Sequence, residues 1–404
     1  MTTSAHPLVP NELLFDALQA ASLARAPVKL RIVRDEAGFM ALHPSWDKLL
    51  QCSAVRTPFM TWDWVTSWYQ QHRDHCQLCI GVLDDFTTGE PVALAPLVIS
   101  RPLLGPRKTL RHLTFMGTVG EGGSQGMDFI VPAGKEEQLT PQLTVLFKRT
   151  QLRWDVIDLP TMHEESPNLP FLRSALARHA QAGERSAPQN SYLMSLAGSW
   201  EDQMATWKSK ERVSFRTKWR KLIEEHNGRL LQGGIDYPAE QAFDELWRLH
   251  ALRFEGQHSS FLSEQMRQLH RSLVARWSAD GRAMLPLIEA DGRIVAARYG
   301  FAMNGRYWSY QTGYDPAYSK LSVGILSLGW TAQCAIARGL HEIDHLPGEA
   351  RYKSEWSTHT RRVVHLETFN RLSLTGAVFR LMRGLKRRHT TGKTEPSVNE
   401  ETAR

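Results

Sequence analysis

The sequence predicts an α/β chain of the α+β kind, built from two similar domains, each a mixed, mostly antiparallel sheet flanked by helices. Three observations carry this. At 404 residues the chain exceeds one ordinary core. Its halves repeat each other in order: EPVALAPL resembles GRIVAARY, VIDLP resembles EIDHLP, and a helical pattern precedes the Asp-bearing strand both times. Asp291-Gly292, set between two apolar runs, is a two-residue hairpin signal.

In the first half, residues 29–34 read as a strand and 36–51 and 61–72 as helices, the latter with Trp64 and Trp68 on one face. The apolar runs 76–83 and 91–100 flank the turn cluster DDFTTGE and read as a β-hairpin. A helix over 136–151 leads into a strand at 153–160. In the second half, 240–255, 263–278 and 322–340 read as helices, and 283–290, 293–303, 306–314 and 341–347 as strands. Residues 181–191, QAGERSAPQNS, have linker composition. The expected division is an N-terminal extension (1–27), a first domain (28–190), a second domain (191–370) and a tail (371–404).

Hydrophobic content of 42% and charged content of 23% describe a soluble globular chain. The net charge of +7 is unevenly spread, which favours an anionic ligand: CoA, a sugar phosphate, nucleic acid or a lipid surface. Residues 208–221, KSKERVSFRTKWRK, allow a helix on which Arg212, Arg216 and Arg220 form a cationic ridge at i,i+4 spacing. Residues 371–389 read as a basic amphipathic helix, to lie on an anionic membrane, dock on a partner or pack on the protein, and 390–404 as disordered. The C-x-x-C of Cys76 and Cys79 reads as buried free thiols in a reducing compartment. The N-terminus lacks the basic region of a secretory signal and no apolar run reaches spanning length, so the expected location is the cytoplasm, peripheral at the inner face of the membrane. With no H-E-x-x-H or similar cluster, no metal is expected.

The densest chemistry lies at 339–356, GLHEIDHLPGEARYKSEW, where a strand delivers Asp344, a turn follows at Pro347-Gly348, and Tyr352, Lys353 and Trp356 come next. Upstream, Tyr299, Tyr310 and Gln311 sit on adjacent strands, and Ser322 reads as the N-cap of a helix with Gly324 in its first turn. A helix N-terminus suits a pyrophosphate.

Together RIVAARYGF, YQTGYDPAY, the SVG helix start and EIDHLPGEARYKSEW resemble the GNAT-like acetyltransferases of the CelD (cellulose-biosynthesis) type, also described as BioF2-like, which are relatives of the Fem-type transferases. The resemblance spans about residues 30–370 and takes in PFMTWDW, VALAPLVI and RWDVIDLP. It implies tandem GNAT-like domains with acyl-CoA, acetyl-CoA above all, as donor, bound at Lys320, Ser322, Val323 and Gly324. KLSVG keeps one Gly of the family's glycine-rich pyrophosphate loop.

Acyl transfer from a thioester needs a base, a group to stabilise the carbonyl oxygen and an acid for the thiolate. Asp344 is the expected base, such that Asp344→Asn keeps the fold and loses activity; the alternative is a cap on the turn after it. Tyr352 is expected to protonate the thiolate or bind acceptor, and Lys353 to hold a phosphate or pair with Asp344 or Glu349. Tyr299, Tyr310, Gln311, Arg216, Arg253 and Trp356 are the expected substrate contacts, with Arg298 a further anion contact. Asp158, at the matching place in the first half, lacks the Tyr-Lys-Trp that follows, so that copy is expected to be structural or to bind acceptor. The Gly-rich loop 117–129 is expected to rim the cleft. The function expected is acyl transfer to an amine or hydroxyl of a sugar or envelope/exopolysaccharide precursor, with a small-molecule or glycan acceptor and with membrane or polysaccharide-synthase contact through 371–389. Two further readings stand beside it: an aminoacyl-tRNA-dependent Fem-type transferase, and a catalytically silent GNAT-like module in polysaccharide export.

Overall fold

A computed structural model describes residues 27–101, 109–118, 123–148, 153–177, 183–184, 189–348, 351–370 and 373. The basic amphipathic helix and polar tail expected beyond residue 373 lie outside the described residues, as does the extension before residue 27.

The chain enters through β1 (Val28–Val33). α1 (Glu36–Met40) starts where the Asp35 carboxylate accepts from the Gly38 amide. α2 (His43–Cys52) starts afresh with Pro44 in its first turn, so the one helix expected over 36–51 is two. α3 (Trp62–His72) is capped by Thr61 and buries Trp64 and Trp68 together. The expected hairpin is split between two sheets. The first run breaks at Cys79 into β2 (Cys76–Leu78) and β3 (Ile80–Asp85), and the second at Pro96 into β4 (Pro91–Ala95) and β5 (Leu97–Ser100). β3 and β4 join β1 in a small sheet, while β2 and β5 pair in the large one. Pro96 brings no N–H to a ladder, which suits the crossing point. β6 (His112–Phe115), α4 (Glu136–Leu143), β7 (Val156–His163) and α5 (Leu169–Ala177) follow. The segment with linker composition contributes β8 (Gly183–Glu184) and the start of β9 (Gln189–Ser195).

Next come α6 (Trp200–Ala205), α7 (Ser209–Glu225), β10 (Arg229–Gly233), α8 (Ala239–Arg253) and α9 (Glu264–Trp277). β11 (Ala283–Ala290), β12 (Arg293–Met303) and β13 (Arg306–Tyr314) form a meander. Its first turn is Asp291-Gly292, with φ of 52° and 73°, the positive values that an Asp-Gly hairpin needs. α10 (Val323–Ala337), β14 (Glu342–Pro347), α11 (Arg351–Trp356) and β15 (His359–Phe369) close the described fold.

The large sheet has 12 strands in the order β10-β11-β12-β13-β14-β9-β15-β7-β6-β5-β2, with β8 beside β15. Its pairings are antiparallel except β13 with β14 and β6 with β7, one parallel pair from each half. β15, from the end of the second half, runs between β9 and β7 and so joins the halves. The core is shared too: Trp64 of α3 packs against Trp277, Phe301 and Tyr310 of the second half.

Two irregularities position the site. β13 and β14 pair only from Arg306↔Glu342 to Trp308↔Asp344, after which β13 runs on to Tyr314 while β14 stays with β9. The strands therefore part like a wedge. The β12–β13 ladder also steps from Tyr299↔Gln311 to Gly300↔Ser309, leaving Tyr310 as the extra residue of a bulge. Gly300 is required opposite this bulge, since a Cβ there would run into the Trp308 carbonyl.

Four histidines are buried neutral. Burial lowers His163, His270 and His345 to about 3 and His250 to about 4. In the unfolded chain they titrate near ~6.5, so between these values the unfolded state binds more protons. Their contribution is complete above pH ~6.5 and is lost as the pH falls towards 3–4. Asp128, pushed up to about 7 by burial, acts in the opposite sense. Asp47 and Asp344, whose carboxyls burial also raises, add to that opposing sense, and with four imidazoles against three carboxyls the melting temperature should fall by a few degrees (~3 °C) between pH 7 and pH 5. An unchanged melting temperature over that range would show the four rings to be solvated.

Candidate active site

Where β13 and β14 part, two cavities adjoin, of about 280 and about 310 Å³. The first is walled by Arg298 of β12, Tyr314 of β13 and Ser322, Val323 and Gly324 at the start of α10. The second is walled by Tyr310 and Gln311 of β13, by His345, Leu346 and Pro347 of β14, and by Lys353 of α11. Arg253, Thr312 and Tyr352 line both, and the cavities meet there.

Ser322 stands at the N-cap position but does not cap. Its backbone is left-handed (φ 52°, ψ 44°), and its Oγ accepts from Lys218 Nζ of α7 at 2.7 Å. The amides of Val323 and Gly324 have no intrahelical partner and carry the positive end of the helix dipole. Beside them Arg298 is only 2% exposed. Its Nε donates to Ser327 Oγ and its Nη2 to the Gly324 carbonyl, both at 3.1 Å, while Nη1 has no partner. Among the described residues no carboxylate pairs with it, and burial lowers its pKa. A buried charge is stable only when compensated. An uncapped helix start and a guanidinium without a carboxylate partner put positive charge on one cavity wall.

The second cavity is polar. Lys353 Nζ donates to the carbonyls of Leu346 and Pro347 at 3.1 and 2.9 Å. Burial lowers it to about 8, against the attraction of Asp344 and with the repulsion of Arg298 and Arg253. His345 is buried with neither ring nitrogen bonded. Burial, then Arg298 and Lys353, hold it neutral. Its ring lies edge-on to Tyr352, with centroids 5.9 Å apart. The first half reaches in through Gly123 and Gln125 of the Gly-rich loop, and the Gln125 Oε1 is buried without a partner. Sequence reasoning singled out neither His345 nor Gln125. The signal for His345 was the strand period: neighbours on β14 face opposite ways, so a site residue at 345 turns 344 elsewhere.

Asp344 is indeed turned elsewhere. It is 0% exposed and lines neither cavity. Its Oδ2 pairs with Arg361 of β15 at 3.1 Å, and its Oδ1 accepts from the Leu346 amide at 2.8 Å. Leu346 has a φ of 60°, unusual for a side chain of that bulk, and the Asp344 bond holds that kink. A carboxylate sealed this way does not reach a substrate proton, although burial raises its pKa. The reading of Asp344 as a cap on the following turn is the one that agrees with its contacts.

Other expected contacts divide. Arg253, Tyr310, Gln311, Tyr352 and Lys353 line the second cavity, and Ser322, Val323 and Gly324 the first. Lys320 is exposed outside both. Tyr299 is sealed in the core with its hydroxyl 3.3 Å from His270 Nδ1, because β12 turns Arg298, not Tyr299, to the cavity side. Trp356 packs edge-on against Trp207 at 4.5 Å, and Arg216 is exposed on α7. Asp158 is held by His112 and His365, and burial notwithstanding these bonds lower its pKa.

Residues 209–354 match the family model described as an acetyltransferase (GNAT) domain, a span that contains both cavities except Gly123 and Gln125. No curated protein matches the chain. Among solved structures, FemX is 9% identical, covers 84% of this chain and 98% of its own, and superposes with a TM-score of 0.57. A conserved protein of unknown function from Bacteroides thetaiotaomicron VPI-5482 is 11% identical, with coverages of 84% and 99% and a TM-score of 0.52. The chain is thus similar to GNAT acetyltransferases over residues 209–354, and its overall fold is that of FemX.

Proposed function

We propose that this chain is a GNAT-type acyltransferase of the CelD/BioF2-like kind, moving an acyl group, acetyl in the first instance, from acyl-CoA to an amine or hydroxyl of a sugar or envelope/exopolysaccharide precursor. In this reading it comprises two GNAT-like units, 28–190 and 191–370, and contacts the membrane or a polysaccharide synthase through 371–389. The observation that carries it is Arg298, a buried guanidinium with a free Nη1 beside an uncapped helix start. The residues fit a pyrophosphate: the Val323 and Gly324 amides, Arg298, and Lys218 at Ser322 would hold it.

Acyl-CoA supplies the activated carbonyl. The acceptor nitrogen or oxygen forms a bond to the acyl carbon as the C–S bond breaks; the acceptor loses a proton, the thiolate gains one, and the products are an amide or ester and a free thiol. In this reading Tyr352, which lines both cavities, protonates the thiolate. His345, neutral and unbonded, is placed to accept the acceptor's proton. Burial is the larger cause of its low pKa; a bound anion would relieve the smaller part, the repulsion of Arg298 and Lys353. Asp344 acts through the strand end that it holds.

A second reading is favoured by one observation. α7 exposes Lys210, Arg216, Arg220 and Lys221 and passes Lys218 to Ser322, so a nucleic-acid backbone lying on it would lead into the same cavity. An aminoacyl-tRNA donor would give RNA binding that weakens steeply with salt.

Acetyl-CoA should raise the melting temperature, and Arg298→Met should weaken its binding at least tenfold; no shift with any CoA would turn the assignment to the tRNA donor. His345→Gln and Tyr352→Phe should each lower kcat by ~10²-fold with acetyl-CoA affinity retained. Unchanged turnover in either would remove that residue from the chemistry. Asp344→Asn should cost about 3 kcal/mol of stability by leaving Arg361 uncompensated. A variant of full stability with abolished turnover would restore Asp344 as the base.

A further inference from the structure

The two cavities hold three cations, Arg298, Arg253 and Lys353, whose charges repel one another. Among the described residues no carboxylate lines either cavity. Asp344, the acid behind Lys353, is taken by Arg361. Donor phosphates at the start of α10 account for Arg298. They leave Lys353, which lines only the second cavity, and Arg253, whose guanidinium lies over the Phe254 and Tyr314 rings and whose Nη1 donates to the Thr312 carbonyl at 3.3 Å, with no carboxylate partner among the described residues. The same cavity presents acceptors without donors: one nitrogen of the neutral His345, neither of whose ring nitrogens is bonded, and Gln125 Oε1.

We propose that the acceptor carries its own carboxylate or phosphate, held between Arg253 and Lys353, and offers its nucleophilic N–H or O–H to His345 and Gln125. The proposal rests on the acyl-transfer reading of the two cavities. Lys353 already spends hydrogen bonds on the carbonyls of Leu346 and Pro347, which fixes its ammonium at the rim of the β14 turn. An anion there gains a charge-assisted bond without reordering a long side chain. A simple polyamine or a cationic aminoglycoside would meet like charge at this wall. The acceptor class is therefore an acidic amino sugar, a sugar phosphate or an amino acid, not a polyamine. Gln125 comes from the first half, so that half reads the acceptor while the second half holds the donor.

The test is calorimetric titration of the protein saturated with CoA, which occupies the first anion site. Inorganic phosphate and lactate serve as the two anionic probes, glycerol as the neutral one and putrescine as the cationic one. Phosphate or lactate should bind, and whichever does identifies the anionic group; glycerol and putrescine should not. Lys353→Met should weaken the anion at least tenfold with CoA affinity unchanged, and Lys353→Arg should recover it. Binding should also weaken as the pH rises through about 8, where Lys353 loses its proton among Arg253, Arg298, His345 and Asp344. Preference for putrescine, loss of all anion binding once CoA is present, or equal anion affinity in Lys353→Met would each overturn the proposal. Failure of CoA itself to bind is a separate result that sinks the donor assignment. The anions are then titrated into the free protein, where sensitivity to Lys353→Met supports the acceptor site and sensitivity to Arg298→Met alone overturns it.

Discussion

The ion pair of Asp344 with Arg361 is the constraint on which the site depends. It pins β14 to β15 at the point where β14 leaves β13, and the same carboxylate fixes the left-handed turn at Leu346. That turn aims the carbonyls of Leu346 and Pro347 at Lys353 and exposes His345 to the cavity. The parting of two parallel strands makes a space lined by backbone that the ladder no longer satisfies, and such space takes ligands readily. Across it, the bulge at Tyr310 withdraws one more residue from pairing. The cleft is thus a product of interrupted strand pairing more than of loops.

The electrostatics follow from this geometry. Acids cluster behind the sheet, where Asp344 and Glu342 meet Arg361 and Arg306. Cations face the cavities. Burial first, and this cationic wall second, keep the His345 imidazole neutral. Charge separation of this kind costs stability in the empty protein, as expected where a site is shaped for its ligand more than for the fold.

Much of the second half was legible in the sequence because its signals are local. Asp291-Gly292 fixed a hairpin through the backbone freedom of two residues, and 322–340 showed an uninterrupted apolar helix. The helix start at Ser322 was placed correctly, though its hydroxyl serves Lys218 and not the helix. What escaped is non-local. β15, HTRRVVHLETF, lies in the middle of a sheet yet carries charges that a solitary reading assigns to solvent; they are tolerated because Arg361 and His365 find Asp344 and Asp158 on other strands and Arg362 finds Glu164 just past the end of β7. Asp344 is buried and lines neither cavity, while the alternation along β14 puts its neighbour His345 in the cavity wall. Chemistry was visible at the level of the segment, and the choice between neighbours required the third dimension.

The insertion of β15 between β9 and β7 also sets an order of events. β7 offers one flank to β6 early, but its other flank finds its partner only when residues 359–369 have been made, after every other described strand. During synthesis the first half must therefore wait with an open strand edge, a state prone to wrong pairing. The long sequence separation between β7 and β15 slows the closing step further. Neither half, cut from the other, retains a finished sheet, so a chain interrupted before β15 is expected to be a substrate for chaperones and proteases and not a smaller working protein.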